Sequence, residues 1–191
     1  MNEHGRTLLE MVIVLALVLA LAAILTPNLR AYSQEVQLMA AAQAFRGQFR
    51  EAYSIAIAKN VQTAIRFETG PAGPTYSIYV DGNHNGVLSA DIASGVDRRV
   101  AGPRPLDAGL ARVRVAINAN VPAIPPDSGT LDPSDPIRFG RSNMLSFSPM
   151  GTATPGTFYL AGEFAQAAVR VTPESARVRI LFCRGRRWVE R

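Results

Sequence analysis

From Thr7 to Thr26 the chain reads TLLEMVIVLALVLALAAILT, an apolar run of about 20 residues, the length an α-helix needs to cross the hydrocarbon core of a bilayer. Only Glu10 interrupts it. Beyond Pro27 the pattern becomes amphipathic: Val36, Met39 or Ala40, Phe45, Phe49, Tyr53 and Ala56 or Ile57 recur near helical spacing, with Gln and Arg between them. The pattern predicts a second half-helix over Tyr32 to Lys59. Joined to the first, it makes a rod of about 80 Å, bent near Pro27, whose apolar stripe needs a sheet to cover it.

After the rod the period shortens to that of strands. Thr63 to Phe67, Tyr76 to Val80, Arg112 to Ile117, Met144 to Phe147, Thr157 to Leu160, Ala168 to Thr172 and Arg177 to Phe182 alternate or are rich in β-branched and aromatic residues. In Arg112-Val113-Arg114-Val115 and Arg177-Val178-Arg179-Ile180 the arginines belong on the solvent face and the aliphatics inside. Gly and Pro punctuate the gaps, most densely from Pro122 to Pro136, which reads as a long surface loop. The expected architecture is α+β, a long N-terminal helix packed on an antiparallel β-sheet domain.

With 191 residues, 48% of them apolar, the chain has room for one packed domain on one anchor. The single cysteine, Cys183, excludes an internal disulfide, and its place in an apolar strand makes it a small buried hydrophobe with no assigned role. No H-x-x-x-H, C-x-x-C or P-loop spacing occurs, and His4 and His84 are the only histidines. No catalytic residue, cofactor or metal is therefore assigned, and the expectation is a protein that is not an enzyme.

At its start the chain contains Gly5-Arg6-Thr7-Leu8-Leu9-Glu10, then the apolar run, then Pro27. This constellation resembles the processing site of the type IV pilin family, in which the bond after glycine is cut and the fifth mature residue is glutamate. Counted from Arg6, Pro27 falls at mature position 22, where such pilins often carry a helix-bending proline. Two departures stand out: Arg6 replaces the usual phenylalanine, and the leader lacks basic residues before the cut. The stretch LSFSPMGTATPGTFYLAG, followed by VRV and ARVRILF, resembles the H-type minor pseudopilins of type II secretion and related minor pilins.

The resemblance implies a pilin-like organisation: residues 1–5 as prepilin leader, 6–29 as the transmembrane half of the helix, 30–60 as its amphipathic half, and 61–191 as a periplasmic β-rich domain. It also implies other pilin or pseudopilin subunits, a prepilin peptidase and N-methyltransferase, and the bacterial inner membrane as partners. Cutting after Gly5 frees an α-amine with a reference pKa near 8, and Glu10 is then its electrostatic counterpart in assembly. An unpaired Glu10 penalises wrong register, the way in which a buried ion pair specifies position. A minor type IV pilin, one that binds DNA in natural transformation, is the alternative within the family. An ordinary signal peptide, with Ala20-Leu21-Ala22 as the cut, is the alternative outside it, but the run is long for that and carries a glutamate.

Two further segments carry candidate chemistry. Asp81-Gly82-Asn83-His84-Asn85-Gly86 matches the first half of an EF-type calcium loop, with Ser89 at position nine. Position twelve is Ile92, however, and Asp91 lies one residue early, so an Asx-rich turn is the preferred reading. The net charge of +5 is concentrated at the other end, since Arg170 to Arg191 holds seven arginines against Glu174 and Glu190. Arg184, Arg186 and Arg187, with Trp188 to stack on a base, form a candidate contact for DNA or for acidic faces of neighbouring subunits. Docking is preferred there, because an arginine-bearing edge is also a common device against aggregation.

Overall fold

The computed structural model of the protein describes residues 3–70, 73–110, 112–163 and 165–191, and leaves aside the side chains of 3–7 and 24–28. The expected processing site at Gly5 and Arg6 and the expected bend at Pro27 lie outside the side chains so described. One helix, α1 (Glu3–Lys59), runs through both halves expected from the pattern. Its 57 residues give a length of about 85 Å.

Behind α1 come β1 (Thr63–Gly70), β2 (Gly73–Val80), the short helix α2 (Ser89–Ser94), β3 (Arg98–Pro105), β4 (Ile137–Arg138), β5 (Met144–Phe147), β6 (Gly156–Ala161), β7 (Gln166–Thr172), β8 (Arg177–Arg184) and β9 (Arg187–Glu190). They form two antiparallel sheets, of order β3-β2-β1-β5 and β4-β6-β7-β8-β9. The protein is thus α+β, an N-terminal helix packed on antiparallel sheets: α1 lies against β1 and β5 of the first sheet and against β6, β7 and β8 of the second.

A single stripe of α1 makes that contact. Leu38, Ala42, Phe45, Phe49, Ala52 and Ala56 are buried at alternating spacings of four and three that keep one face inward, with Ala41 buried beside them. The face is rotated from the expected one: Phe45, Phe49 and Ala56 belong to it, but Val36 and Ile57 are about half exposed. Small residues let the helix approach the sheets closely, and aromatics fill the remaining space. Phe45 lies 4.4 Å from Phe158 between ring centroids, and Phe49 meets Phe139 at 5.8 Å and Phe158 at 6.1 Å, edge to face. Phe67 of β1 stacks at 5.7 Å on Phe139 and 5.5 Å on Phe158, so the same cluster joins both sheets to the helix.

The outer face of each sheet is covered by a loop. Over the second sheet, Ile117, Val121, Ile124 and Leu131 pack on Tyr159, Ala168 and Leu181. Over the first, Val87 and Ile92 meet Ala64, Tyr79 and Met144. The segment from Pro122 to Pro136 is therefore a loop, as the Pro and Gly content predicts, but its apolar residues seal a second core.

The expected strand Arg112 to Ile117 does not form. Arg112 adopts a left-handed backbone at φ 60°, which takes the chain out of extended geometry, and only an isolated bridge from Arg114 to Ala161 remains. Its alternation is nevertheless real, with Val113 buried between exposed Arg112 and Arg114. Conversely, β3, β4 and β9 lie outside the expected strands. In β3 the sequence RRVAGPRP offers almost no alternation, and the register shifts beside Ile78, where Gly102 bulges at φ 91° with its Cα close against Ser77.

Among the described residues no helix is long and apolar enough to cross a membrane. The described part of the apolar run, from Leu8 to Ala23, is shorter than the whole run.

Candidate functional site

The N-terminal half of α1 carries the first candidate. Leu8, Met11, Leu15, Leu21 and their neighbours are exposed, Met11 at 76%, and form a continuous apolar surface around the helix. Glu10 is exposed within this surface, beside Met11, Val14, Leu15 and Val18 along one side of the helix. Among the described residues its carboxylate has no partner. A carboxylate in apolar surroundings is costly unless a cation meets it. Where the helix enters the domain, Gln34 is buried and its Nε2–H donates to Glu163, which marks the junction between the two halves.

The C-terminal arginines are not a tail. Arg184 and Arg187 pair across the β8–β9 hairpin, whose two-residue turn places Gly185 at φ 52° and Arg186 at φ 70°, the double left-handed geometry of a type I′ turn. The candidate contact residues then separate. Arg184 is paired with Glu35 of α1, which Arg191 also reaches at 3.2 Å. Arg186 and Arg187 project at the tip, exposed and without an ion pair among the described residues.

Trp188 is engaged within the subunit. Its ring packs half-buried against Tyr159 at 6.3 Å, and its Nε1–H donates to the Pro122 carbonyl at 2.8 Å, tying the covering loop to the sheet edge. Sequence reasoning placed it beside arginines and missed this, because its partner lies 66 residues away.

The acidic loop is built as a turn. Asp81 is buried, and its carboxylate accepts the backbone N–H groups of Asn83 at 3.0 Å, His84 at 2.7 Å and Gly86 at 2.7 Å. Asp97, likewise buried, accepts from Gly82 at 3.0 Å and Leu88 at 2.9 Å. Asp91 accepts from the side-chain amides of Asn83 and Asn85. The oxygens an ion would need are therefore committed to the loop itself, and among the described residues no His, Cys, Asp and Glu group is arranged to hold a metal. Asp97, which sequence reading did not single out, closes the turn as a second carboxylate 16 residues on in the chain.

Four described side chains titrate away from their ordinary range, Arg104 among them, raised by hydrogen bonds to Tyr76 and Glu51. Burial raises the Tyr159 hydroxyl, against the opposing field of Arg138. Burial also raises the Cys183 thiol, which keeps it protonated and unreactive at neutral pH. The Asp132 carboxyl is lowered by the Ser134 N–H that caps it.

A comparison with known protein families, with curated proteins and with solved structures finds no match to this chain.

Proposed function

We propose that this chain is a minor pseudopilin, a structural subunit that assembles into a type II secretion pseudopilus through its N-terminal helix, with residues 61–191 held in the periplasm. One observation carries the reading: Gly5, Arg6 and Glu10 stand in the prepilin spacing at the head of a helix whose next turns are apolar and exposed. A helix half whose described residues, Leu8 to Ala23, are all exposed is suited to be buried by other surroundings. The membrane takes the full Thr7 to Thr26 run of the sequence before assembly, and neighbouring subunits take it afterwards.

In this reading a prepilin peptidase cuts after Gly5, and the new amine on Arg6 is cationic at neutral pH. Glu10 of one subunit meets that amine on the next, which sets the register of the incoming helix. Arg6 also supplies positive charge on the cytoplasmic side. The role is structural, with no reaction assigned.

Mass spectrometry of the membrane-extracted protein tests this reading. A mature N-terminus at Arg6 is expected, together with a Glu10→Ala variant that is processed and membrane-bound but enters filaments poorly. A start near Ala23 would overturn it in favour of an ordinary signal peptide, and normal incorporation of Glu10→Ala would remove the pairing role.

A further inference from the structure

A cleft of about 510 Å³ opens between the flank of α1 and the edge of the second sheet, lined by Arg46, Arg50, Tyr53, Ser175, Arg177 and Glu190, with Arg191 at its end. Arg46 and Arg50 stand one helical turn apart on the same face of α1, where like charges repel. Arg177, at the start of β8, adds a third guanidinium from the opposite wall. Among the described residues neither Arg46 nor Arg50 makes an ion pair or a side-chain hydrogen bond.

The acids at hand are already engaged. Glu190, the carboxylate side chain of the cleft, receives Arg177 at 3.0 Å and Arg179 at 3.4 Å. Glu35 receives Arg184 and Arg191 farther along the helix. Guanidinium groups cannot relieve their repulsion by losing protons, because they stay charged at any physiological pH. What remains is a concave site with surplus positive charge and planar donors on two walls.

We propose that this cleft binds a phosphate-class oxyanion, held in bidentate fashion by Arg46 and Arg50 from the helix and by Arg177 from β8. Such an anion carries its negative charge on tetrahedrally arranged oxygens, so it can accept from donors converging from both walls. It also cross-links the middle of α1 to the strand edge, at a place where the helix is otherwise held mainly by its buried stripe. The inference does not depend on the assembly role proposed above.

Titration calorimetry of the full chain in zwitterionic detergent, with inorganic pyrophosphate as the probe, tests the site. Saturable one-to-one binding is expected. It weakens at least about 10-fold in Arg46→Gln/Arg50→Gln, and also measurably in Arg50→Gln alone, which alters only an exposed side chain. Glu190→Gln, which removes the carboxylate of the cleft, should tighten binding several-fold. The control is Arg98→Gln/Arg99→Gln on exposed β3, which lowers net charge equally and should leave affinity unchanged. Adding phosphatidylglycerol to the micelles separates two sources of the phosphate: competition identifies a lipid headgroup, and its absence a free anion. No binding at millimolar pyrophosphate, or equal weakening by the control pair, overturns the proposal.

Discussion

The two halves of α1 differ in apolar content, and burial runs opposite to it. Leu8 to Ala23 is the more hydrophobic stretch, and it is exposed throughout. Leu38 to Ala56 is interrupted by Gln, Arg and Gly, yet it supplies the residues on which both sheets close. Hydrophobicity by itself therefore does not decide burial within a subunit. What decides it is whether the apolar residues fall on one stripe that a sheet can cover, and the N-terminal half is apolar on every side.

The largest test of this contrast is a pair of truncations. Phe49→Ala removes a fully buried ring that meets Phe67, Phe139 and Phe158, and should cost about 3–5 kcal/mol of domain stability by urea unfolding. Leu15→Ala, at a position 61% exposed, should leave the same transition within about 0.5 kcal/mol. Comparable losses from both would mean that the N-terminal half packs on the domain after all.

A finer test sits inside the C-terminal half, where two apolar positions two residues apart face different ways. Leu38→Ala empties a fully buried site and should cost about 2–4 kcal/mol. Val36→Ala, at 49% exposed, should cost well under 1 kcal/mol. The expected order of midpoints is wild type, then Val36→Ala close behind, then Leu38→Ala far below. A reversed order would place the stripe where the sequence pattern first put it.

The smallest effect is expected at the border between the halves. Glu35→Gln releases Arg184 and Arg191, but the group is partly exposed and the pairs are screened, so the loss should be about 0–1 kcal/mol and should shrink further in high salt. A salt-independent loss above about 2 kcal/mol would show that this contact, and not the buried stripe, fixes the hairpin to the helix.

The candidate residues divide along the same line. Glu10 stands out by a local signal, one carboxylate in an apolar run. The Asp81 turn was legible for a similar reason, since its carboxylate bonds to N–H groups within five residues. Trp188 and Arg184 were misjudged as members of one basic tail, because what occupies them is Pro122 and Glu35, far away in the chain. The arginine cleft was invisible for the same reason, as Arg46 and Arg177 become neighbours only when β8 closes against α1.

The sequence by itself determined the long helix, most of the strands and the separation of an apolar N-terminal half from an amphipathic one. Periodicity and turn chemistry act over a few residues, and the chain states them directly. Only the tertiary structure decided which stripe of α1 is buried, that Arg112 to Ile117 leaves extended geometry, and that RRVAGPRP pairs with β2 as a strand. Each of those outcomes depends on which surface arrives opposite, and a strand with little alternation of its own is held by the hydrogen bonds its neighbour offers.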